Sequence, residues 1–193
     1  MQFKISSPTA LAAKNPISNG DAEALDRLMN ISGRIGLYGM LVGTATWGYL
    51  VFPDIGLPQL SGPPYIITIT ALTMVATVIA ITTIGHELLH LLALPARILR
   101  SDTYLAIWPR KPRWSSTVFT KIGGQKTKIQ FIWISLFPFL ALTVTPFAWA
   151  AFSSTKPNLL IGLIAICNIY ASAFDVAQSL LVALKTPAGS VLR

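Results

Sequence analysis

Long apolar stretches separated by polar segments dominate the sequence. Four of these stretches carry almost no charge, at about residues 35–53, 64–95, 129–152 and 158–184. Each has the roughly 20 residues that a helix needs to cross about 30 Å of hydrocarbon. The pattern therefore predicts an all-α membrane protein with four transmembrane helices.

The segment before the first apolar stretch, residues 1–34, is more polar. It has neither a short apolar core nor a small-residue cleavage site, so we expect no cleaved signal peptide. Residues 21–30 begin with acidic residues and place Leu25, Leu28 and Met29 on one helical face. This pattern fits a helix on the membrane surface as well as a solvated amphipathic turn. We therefore predict an N-terminal cytoplasmic segment, residues 1–34, followed by a single transmembrane domain, residues 35–193.

Composition supports a membrane location. Hydrophobic residues make up 53% of the chain and charged residues 11%, whereas about a quarter of a soluble domain is charged. The net charge of +8 would suggest nucleic acid in a soluble protein, but eight of the fifteen Lys and Arg residues lie between Arg97 and Lys128, in one loop between apolar stretches. We therefore expect membrane lipids as partners and no nucleic acid.

The basic residues also predict the orientation. Outside the spans, four precede residue 35, none lies between the first two spans, eight lie in residues 96–128, one is Lys156 and two are in the tail. Because Lys and Arg accumulate on the cytoplasmic side of membrane proteins, we expect a multi-pass protein with both termini in the cytoplasm.

The basic loop between the second and third spans contains two segments typical of strands. They run from Thr103 to Trp108 and from Trp114 to Thr120, separated by turn-forming residues 109–113. This pattern predicts a β-hairpin at the cytoplasmic surface. Such a hairpin could act as a basic linker held to anionic lipid or as an edge strand that pairs with an extended substrate.

Candidate chemistry is concentrated in the second span, in the sequence His-Glu-Leu-Leu-His. His86 and His90 lie one helical turn apart, about 6 Å along the axis, so both imidazoles can bind one metal ion. Glu87 is placed to activate a water molecule as general base, as in the H-E-x-x-H zinc peptidases. These are the only two histidines in the chain. The alternative is a buried helix with two hydrogen-bonded histidines.

A catalytic zinc site needs a third protein ligand. Outside the motif, Asp175 is the only acidic residue within a predicted span. It lies ten residues, or about 15 Å, before Lys185, and His86 lies eleven residues, or about 16 Å, before Arg97. The side chains can therefore meet at one depth. The alternative role is pairing with a buried Lys or Arg, but the predicted spans contain none.

Asn168 and Ser172 share a helical face with Asp175. Asn168 could bond a substrate backbone or an oxyanion, and Ser172 could hold the Asp175 carboxylate. Alternatively, both could be polar contacts between helices. Gly85 would let the second and fourth helices approach closely, and Pro138 would interrupt the hydrogen bonds of the third.

These motifs are similar to those of the putative zincin peptidase family of small multi-pass membrane proteins, which is related to the site-2 proteases. The resemblance covers about residues 64–190 and rests on GHELLHLLALPA, SLFPFLALT and NIYASAFDVAQSLLVALKTPAG. It implies that His86, His90 and Asp175 bind Zn²⁺ and that Glu87 is the catalytic base. The chain departs from the better known site-2 proteases at Val176, where those proteins have Gly after the aspartate.

Two functions follow as expectations. The first is an intramembrane zinc metalloprotease that hydrolyses a peptide bond in a membrane-embedded or juxtamembrane substrate. The second is a catalytically inactive membrane subunit or scaffold that keeps the same fold within a larger complex. The small size of the chain and the residue after Asp175 favour the second, whereas Glu87 beside the two histidines favours the first.

Overall fold

The computed structural model describes residues 19–55, 63–94, 104–108, 117–121 and 125–192. The elements in chain order are α1 (Asn19–Ile55), α2 (Pro64–Leu92), β1 (Tyr104–Trp108), β2 (Thr117–Lys121), β3 (Lys126–Thr127), α3 (Lys128–Phe139), a π-helical segment (Leu140–Val144), α4 (Thr145–Phe152), α5 (Leu159–Lys185) and β4 (Val191–Leu192). Helices form most of this part of the chain, which confirms the predicted all-α class.

Helix α1 is longer than the sequence pattern predicted. The pattern separated a short helix at residues 21–30 from a span at residues 35–53, but α1 is continuous over 37 residues. The polar residues between the two predicted segments do not interrupt the helix, because they leave its backbone hydrogen bonds intact. The boundary between residues 1–34 and the rest of the chain stays a prediction.

Helix α2 agrees with the predicted second span at its start and ends slightly earlier. Pro63 precedes the helix and Pro64 occupies its first turn, where a missing N–H and a fixed φ are tolerated. At the other end, the Ala93 N–H donates to the carbonyl of Leu89 at 2.9 Å. The helix extends for 29 residues and carries the His-Glu-Leu-Leu-His motif in its last turns.

The third predicted span is a continuous helix, but its hydrogen-bond pattern changes from α-helical to π-helical and back. A capping box begins α3: Gln130 N–H donates to Thr127 Oγ1 at 3.3 Å, and Thr127 N–H donates to Gln130 Oε1 at 3.0 Å. The π-helical segment starts two residues after Pro138, whose nitrogen has no hydrogen to donate. The predicted interruption of the hydrogen bonds near Pro138 is therefore present.

Helix α5 is fixed at both ends. Asn158 Oδ1 accepts from the Ile161 N–H at 3.0 Å at its start. At its end, the Lys128 ammonium donates to the carbonyls of Ala183 and Thr186, each at 2.7 Å. Strands β3 and β4 pair antiparallel beside this contact. The start of α3 is therefore held against the end of α5.

Helices α1 and α5 pack closely through glycines of α1. A Cβ atom added to Gly36 would lie 2.9 Å from Ala173 Cβ, and one added to Gly43 would lie 2.5 Å from Ile169 Cδ1. At Gly36 the neighbouring atoms leave no room for a side chain, whereas at Gly43 the overlap is with the end of a flexible isoleucine side chain. The prediction of such an approach at Gly85 was wrong, because no atom of the described residues lies within 4 Å of a Cβ built there. The close contact instead joins the first and last helices.

Three of the described helices are long and apolar enough to cross a membrane. They are Pro64–Leu92, the combined helix Lys128–Phe152, and Leu159–Lys185. Helix α1 is not among them. The fourth span, the positions of the termini and the depth of each helix stay predictions.

Strands β1 and β2 pair antiparallel between α2 and α3 in the chain. Tyr104 lies opposite Lys121, and Trp108 lies opposite Thr117. These strands overlap the two segments that the sequence pattern picked out. The connecting residues 109–116 lie outside the described part of the chain, so the predicted hairpin itself stays a prediction.

Candidate metal centre

Two histidines on α2 form the first part of the site. His86 and His90 are buried, and their rings lie 4.8 Å apart in an edge-to-face arrangement. The Nε2 atoms of the two rings are 3.2 Å apart. The spacing of one helical turn therefore directs the same ring nitrogen of each histidine to one point, as the motif predicts.

Asp175 on α5 completes this group. Its Oδ2 atom lies 2.9 Å from His86 Nε2 and 3.3 Å from His90 Nε2. His86 also contacts Asn168 and Ser172, which lie on the same face of α5. The structure therefore brings together the three residues that the sequence proposed as metal ligands.

The protonation of His90 follows from its other nitrogen. His90 Nδ1 lies 2.9 Å from the carbonyl oxygen of Ile134 on α3. A carbonyl oxygen can only accept a hydrogen bond, so Nδ1 carries the proton. In the neutral ring, Nε2 is then an unprotonated nitrogen with its lone pair directed toward Asp175.

The same reasoning applies to His86 through Asn168. The Asn168 Nδ2 atom donates to the carbonyl of Pro138 at 3.1 Å and to Thr143 Oγ1 at 2.9 Å. Since the Pro138 carbonyl only accepts, the amide must present nitrogen to it and Oδ1 to His86. His86 Nδ1 lies 2.9 Å from that oxygen and therefore donates to it. Its Nε2 is left unprotonated in the neutral ring.

With both histidines neutral, three hydrogen-bond acceptors therefore point at one another, and none of them carries a proton to donate. They are the Nε2 atoms of His86 and His90 and the Oδ2 atom of Asp175, separated by 2.9 to 3.3 Å. Acceptors this close repel one another unless a cation lies between them. Tetrahedral zinc, with ligand bonds of about 2.0–2.1 Å, places its ligand atoms about 3.3–3.4 Å apart. The donor set and its spacing therefore fit zinc.

Glu87 offers a second carboxylate near the same point. It is buried, and one of its carboxylate oxygens lies within 4.8 Å of ring nitrogens of His86 and His90. Asp175 Oδ2 lies 2.9 and 3.3 Å from the two Nε2 atoms. One carboxylate from α2 and one from α5 therefore lie beside the two histidines.

Asn168 and Ser172 both contact His86. Asn168 is fully buried, and its oxygen and nitrogen both bond protein atoms, so its amide holds the histidine instead of facing a substrate. The Ser172 hydroxyl lies 3.5 Å from His86 Nδ1. Both residues therefore connect α5 to α2 through His86, and the roles suggested for them toward substrate and toward Asp175 stay predictions.

Sequence reasoning missed why the Ile134 carbonyl is available to His90. In an α-helix this carbonyl would accept from the N–H of the residue four positions later. That residue is Pro138, which has no N–H. The proline therefore frees one carbonyl on the buried side of α3, and His90 takes its place as donor. The signal was in the spacing of four between Ile134 and Pro138.

Thr143 in the π-helical segment was also missed. Its hydroxyl accepts from Asn168 and donates to the carbonyl of Ala165 at 3.2 Å. A chain of hydrogen bonds thus connects α5, the π-helical segment and His86. Changes of register of this kind occur often at functional sites.

Comparison with known proteins identifies the family. No curated protein and no solved structure matches the chain. The model of one family, described as "Putative zincin peptidase", matches residues 78–191, which are 114 of the 193 residues. This region contains all the residues of the metal centre. The chain therefore belongs to the family described as "Putative zincin peptidase".

Proposed function

We propose that the protein is an intramembrane zinc metallopeptidase related to the site-2 proteases. The observation that carries this proposal is the convergence of His86 Nε2, His90 Nε2 and Asp175 Oδ2 within 3.3 Å of one another. Both histidines have their other nitrogen engaged as a donor. A metal ion satisfies all three acceptors at once, as a proton on one Nε2 also would, and the family name implies a metal.

In this proposal the three residues would hold Zn²⁺, and three protein ligands are typical of catalytic zinc sites. When bound, zinc supplies Lewis acidity, which makes water acidic enough to lose a proton near neutral pH and polarises a carbonyl. The Asn168 amide and the Ile134 carbonyl keep both histidines in the tautomer that binds metal through Nε2.

Glu87 would move the proton. Its carboxylate, buried beside the histidines, takes the proton of the attacking water and returns it to the nitrogen of the leaving amine. The loss of a general base typically slows a reaction by about 10²- to 10⁴-fold. Ser172 and Asn168 would act on His86 and not on the substrate.

The substrate would be a membrane-embedded or juxtamembrane segment of another protein. His86 lies six residues before the end of α2 and Asp175 ten residues before the end of α5, or about 9 and 15 Å along the helices. A helical substrate has its carbonyls engaged in hydrogen bonds, so the segment to be cleaved must be extended at this depth.

Substitution of Glu87 by Gln tests the proposed reaction. We expect Glu87→Gln to keep the zinc content of the wild type and to lose cleavage by at least about 10²-fold. The measurement uses purified protein reconstituted in liposomes with a set of single-span peptides, and mass spectrometry detects the products. Cleavage by Glu87→Gln at the wild-type rate would contradict the role of Glu87. Wild-type protein that carries zinc and cleaves no peptide would favour the inactive membrane subunit.

We further propose that α1 supplies a fourth span and that both termini face the cytoplasm. Its close packing against α5 at Gly36 and Gly43 supports this arrangement. A reporter enzyme active only in the cytoplasm, fused to either terminus, should be active in both fusions. Activity of one fusion and inactivity of the other, with equal expression, would contradict an even number of spans.

A further inference from the structure

Gly85, directly before His86, has no packing reason to be glycine. Inside a helix, glycine is less favourable than alanine. The described glycines Gly36, Gly43 and Gly162 are explained by neighbours, because a Cβ atom at each would overlap a side chain of another helix. In the described part of the chain, a Cβ built on Gly85 meets no atom within 4 Å. The backbone of α2 is therefore bare beside the first metal-binding histidine.

Thr82, one turn before His86, has a hydroxyl without a hydrogen-bond partner in the described part of the chain. The residue is only 3% exposed, and its Oγ1 is buried. Threonines elsewhere in the helices, such as Thr44 and Thr68, donate to the carbonyl four residues earlier, at 2.8 and 2.9 Å. A buried hydroxyl without a partner is unfavourable, so this group is suited to bind something that the protein alone does not supply.

These two features lie side by side. Thr82 is a neighbour on the helix surface of both Gly85 and His86, which follow it by three and four positions. A glycine without Cβ lets another backbone approach closely, and a threonine hydroxyl can donate to a carbonyl or accept from an N–H. Both groups suit a peptide backbone and neither selects a side chain.

We propose that Gly85 and Thr82 form the contact surface for the backbone of an extended peptide substrate. The peptide lies along α2 over the bare backbone of Gly85, next to the carbonyl at the metal, and rotation of the Thr82 side chain brings its buried hydroxyl to one of the peptide's backbone polar groups. This assignment rests on the proposed function and makes recognition depend on an extended conformation more than on substrate sequence. Segments that unwind easily in the membrane are then the preferred substrates.

The test compares two probes on zinc-loaded protein in detergent. Acetohydroxamate binds zinc alone, whereas a leucyl-leucine hydroxamate also places a peptide backbone beside the metal. The variants are Gly85→Ala and Thr82→Val. The matched control is Ser179→Ala, which removes another buried hydroxyl without a partner in the described residues, one turn beyond Asp175. Calorimetry gives both dissociation constants, and thermal unfolding of the metal-free protein gives stability.

We expect Gly85→Ala to raise the unfolding temperature, because alanine fits the open space and favours the helix. The same variant should bind the peptide hydroxamate about 10-fold more weakly. Thr82→Val should weaken this probe about 3- to 10-fold, the usual effect of one hydrogen bond. Zinc content and acetohydroxamate affinity should stay at the wild-type level in both variants, and Ser179→Ala should bind both probes normally.

Peptide hydroxamate affinity unchanged in both Gly85→Ala and Thr82→Val would overturn the inference while leaving the metal site intact. An equal loss in Ser179→Ala would also overturn it, because the effect would not be local to Gly85. Failure of wild-type protein to bind acetohydroxamate would refute the proposed zinc site and this inference together, so the two failures are distinguishable.

Discussion

Asn168 shows how much of the site depends on one side chain. Its oxygen accepts from His86, and its nitrogen donates to the Pro138 carbonyl and to Thr143. Every one of these partners is buried, so each bond lost leaves a polar atom that cannot turn to water. Asn168 therefore stabilises the bundle and fixes the tautomer of His86 at the same time.

Replacement of Asn168 by Leu, which has a similar volume, should affect both properties. We expect the unfolding free energy to fall by about 2–4 kcal/mol, because several buried polar atoms lose their partner. Zinc affinity should fall about 10- to 100-fold, as is usual when a partner of a metal-binding histidine is removed. Thermal unfolding and competition with a zinc chelator measure the two effects.

Thr143→Val is the matched control for Asn168→Leu. It removes one partner of the asparagine and leaves the bond to His86 in place. A loss of about 1 kcal/mol in unfolding free energy is expected, with a smaller loss of zinc affinity. Wild-type zinc affinity in Asn168→Leu would show that Asn168 does not hold His86 for metal binding.

At the scale of the element, the irregular hydrogen bonding of the third span affects the metal centre more than the length of the span does. Pro138 removes the N–H that would bond the Ile134 carbonyl, and the π-helical segment follows it. The freed carbonyl accepts from His90 Nδ1 at 2.9 Å, and the carbonyl of Pro138 itself accepts from Asn168. Two backbone carbonyls of α3, those of Ile134 and Pro138, thus bond residues of the site.

Pro138→Ala should separate the stability of the span from its effect on the metal centre. Alanine restores an N–H that competes with His90 for the Ile134 carbonyl. We expect thermal stability to rise, because a proline inside a helix is unfavourable, and zinc affinity to fall about 10-fold. Pro146→Ala, in the first turn of α4, is the control and should keep wild-type zinc affinity. Unchanged zinc affinity in Pro138→Ala would contradict the role given to the Ile134 carbonyl.

At the scale of the whole molecule, the sequence predicted the groups that carry their own chemical signature. His86, His90 and Asp175 could be brought together by helical spacing and depth, because ionisable side chains are rare in apolar stretches. The bounds of α2 and α5 were approximated by the apolar runs at residues 64–95 and 158–184. These signals are local in the sequence.

The remaining features depend on contacts between distant segments. The acceptors of His90 and of the Asn168 amide include backbone carbonyls, which any residue type could supply. The close approach of α1 to α5 needs glycine at Gly36 and Gly43 only because Ala173 and Ile169 face them. A single sequence does not state which helices are neighbours. The close helix contact was therefore predicted at Gly85, and the structure has it at Gly36 and Gly43.

The central claim is that α2 and α5 hold one zinc ion between them. Its most direct test is the metal content of detergent-purified protein, prepared without chelators, for the wild type, His86→Ala and Asp175→Ala. Cys167→Ser serves as the control, because it replaces the only cysteine of the chain and leaves His86, His90 and Asp175 unchanged. We predict about one zinc per chain in the wild type and the control, and loss of zinc in both ligand variants. Wild-type protein without zinc, or Asp175→Ala with a full zinc content, would contradict the account.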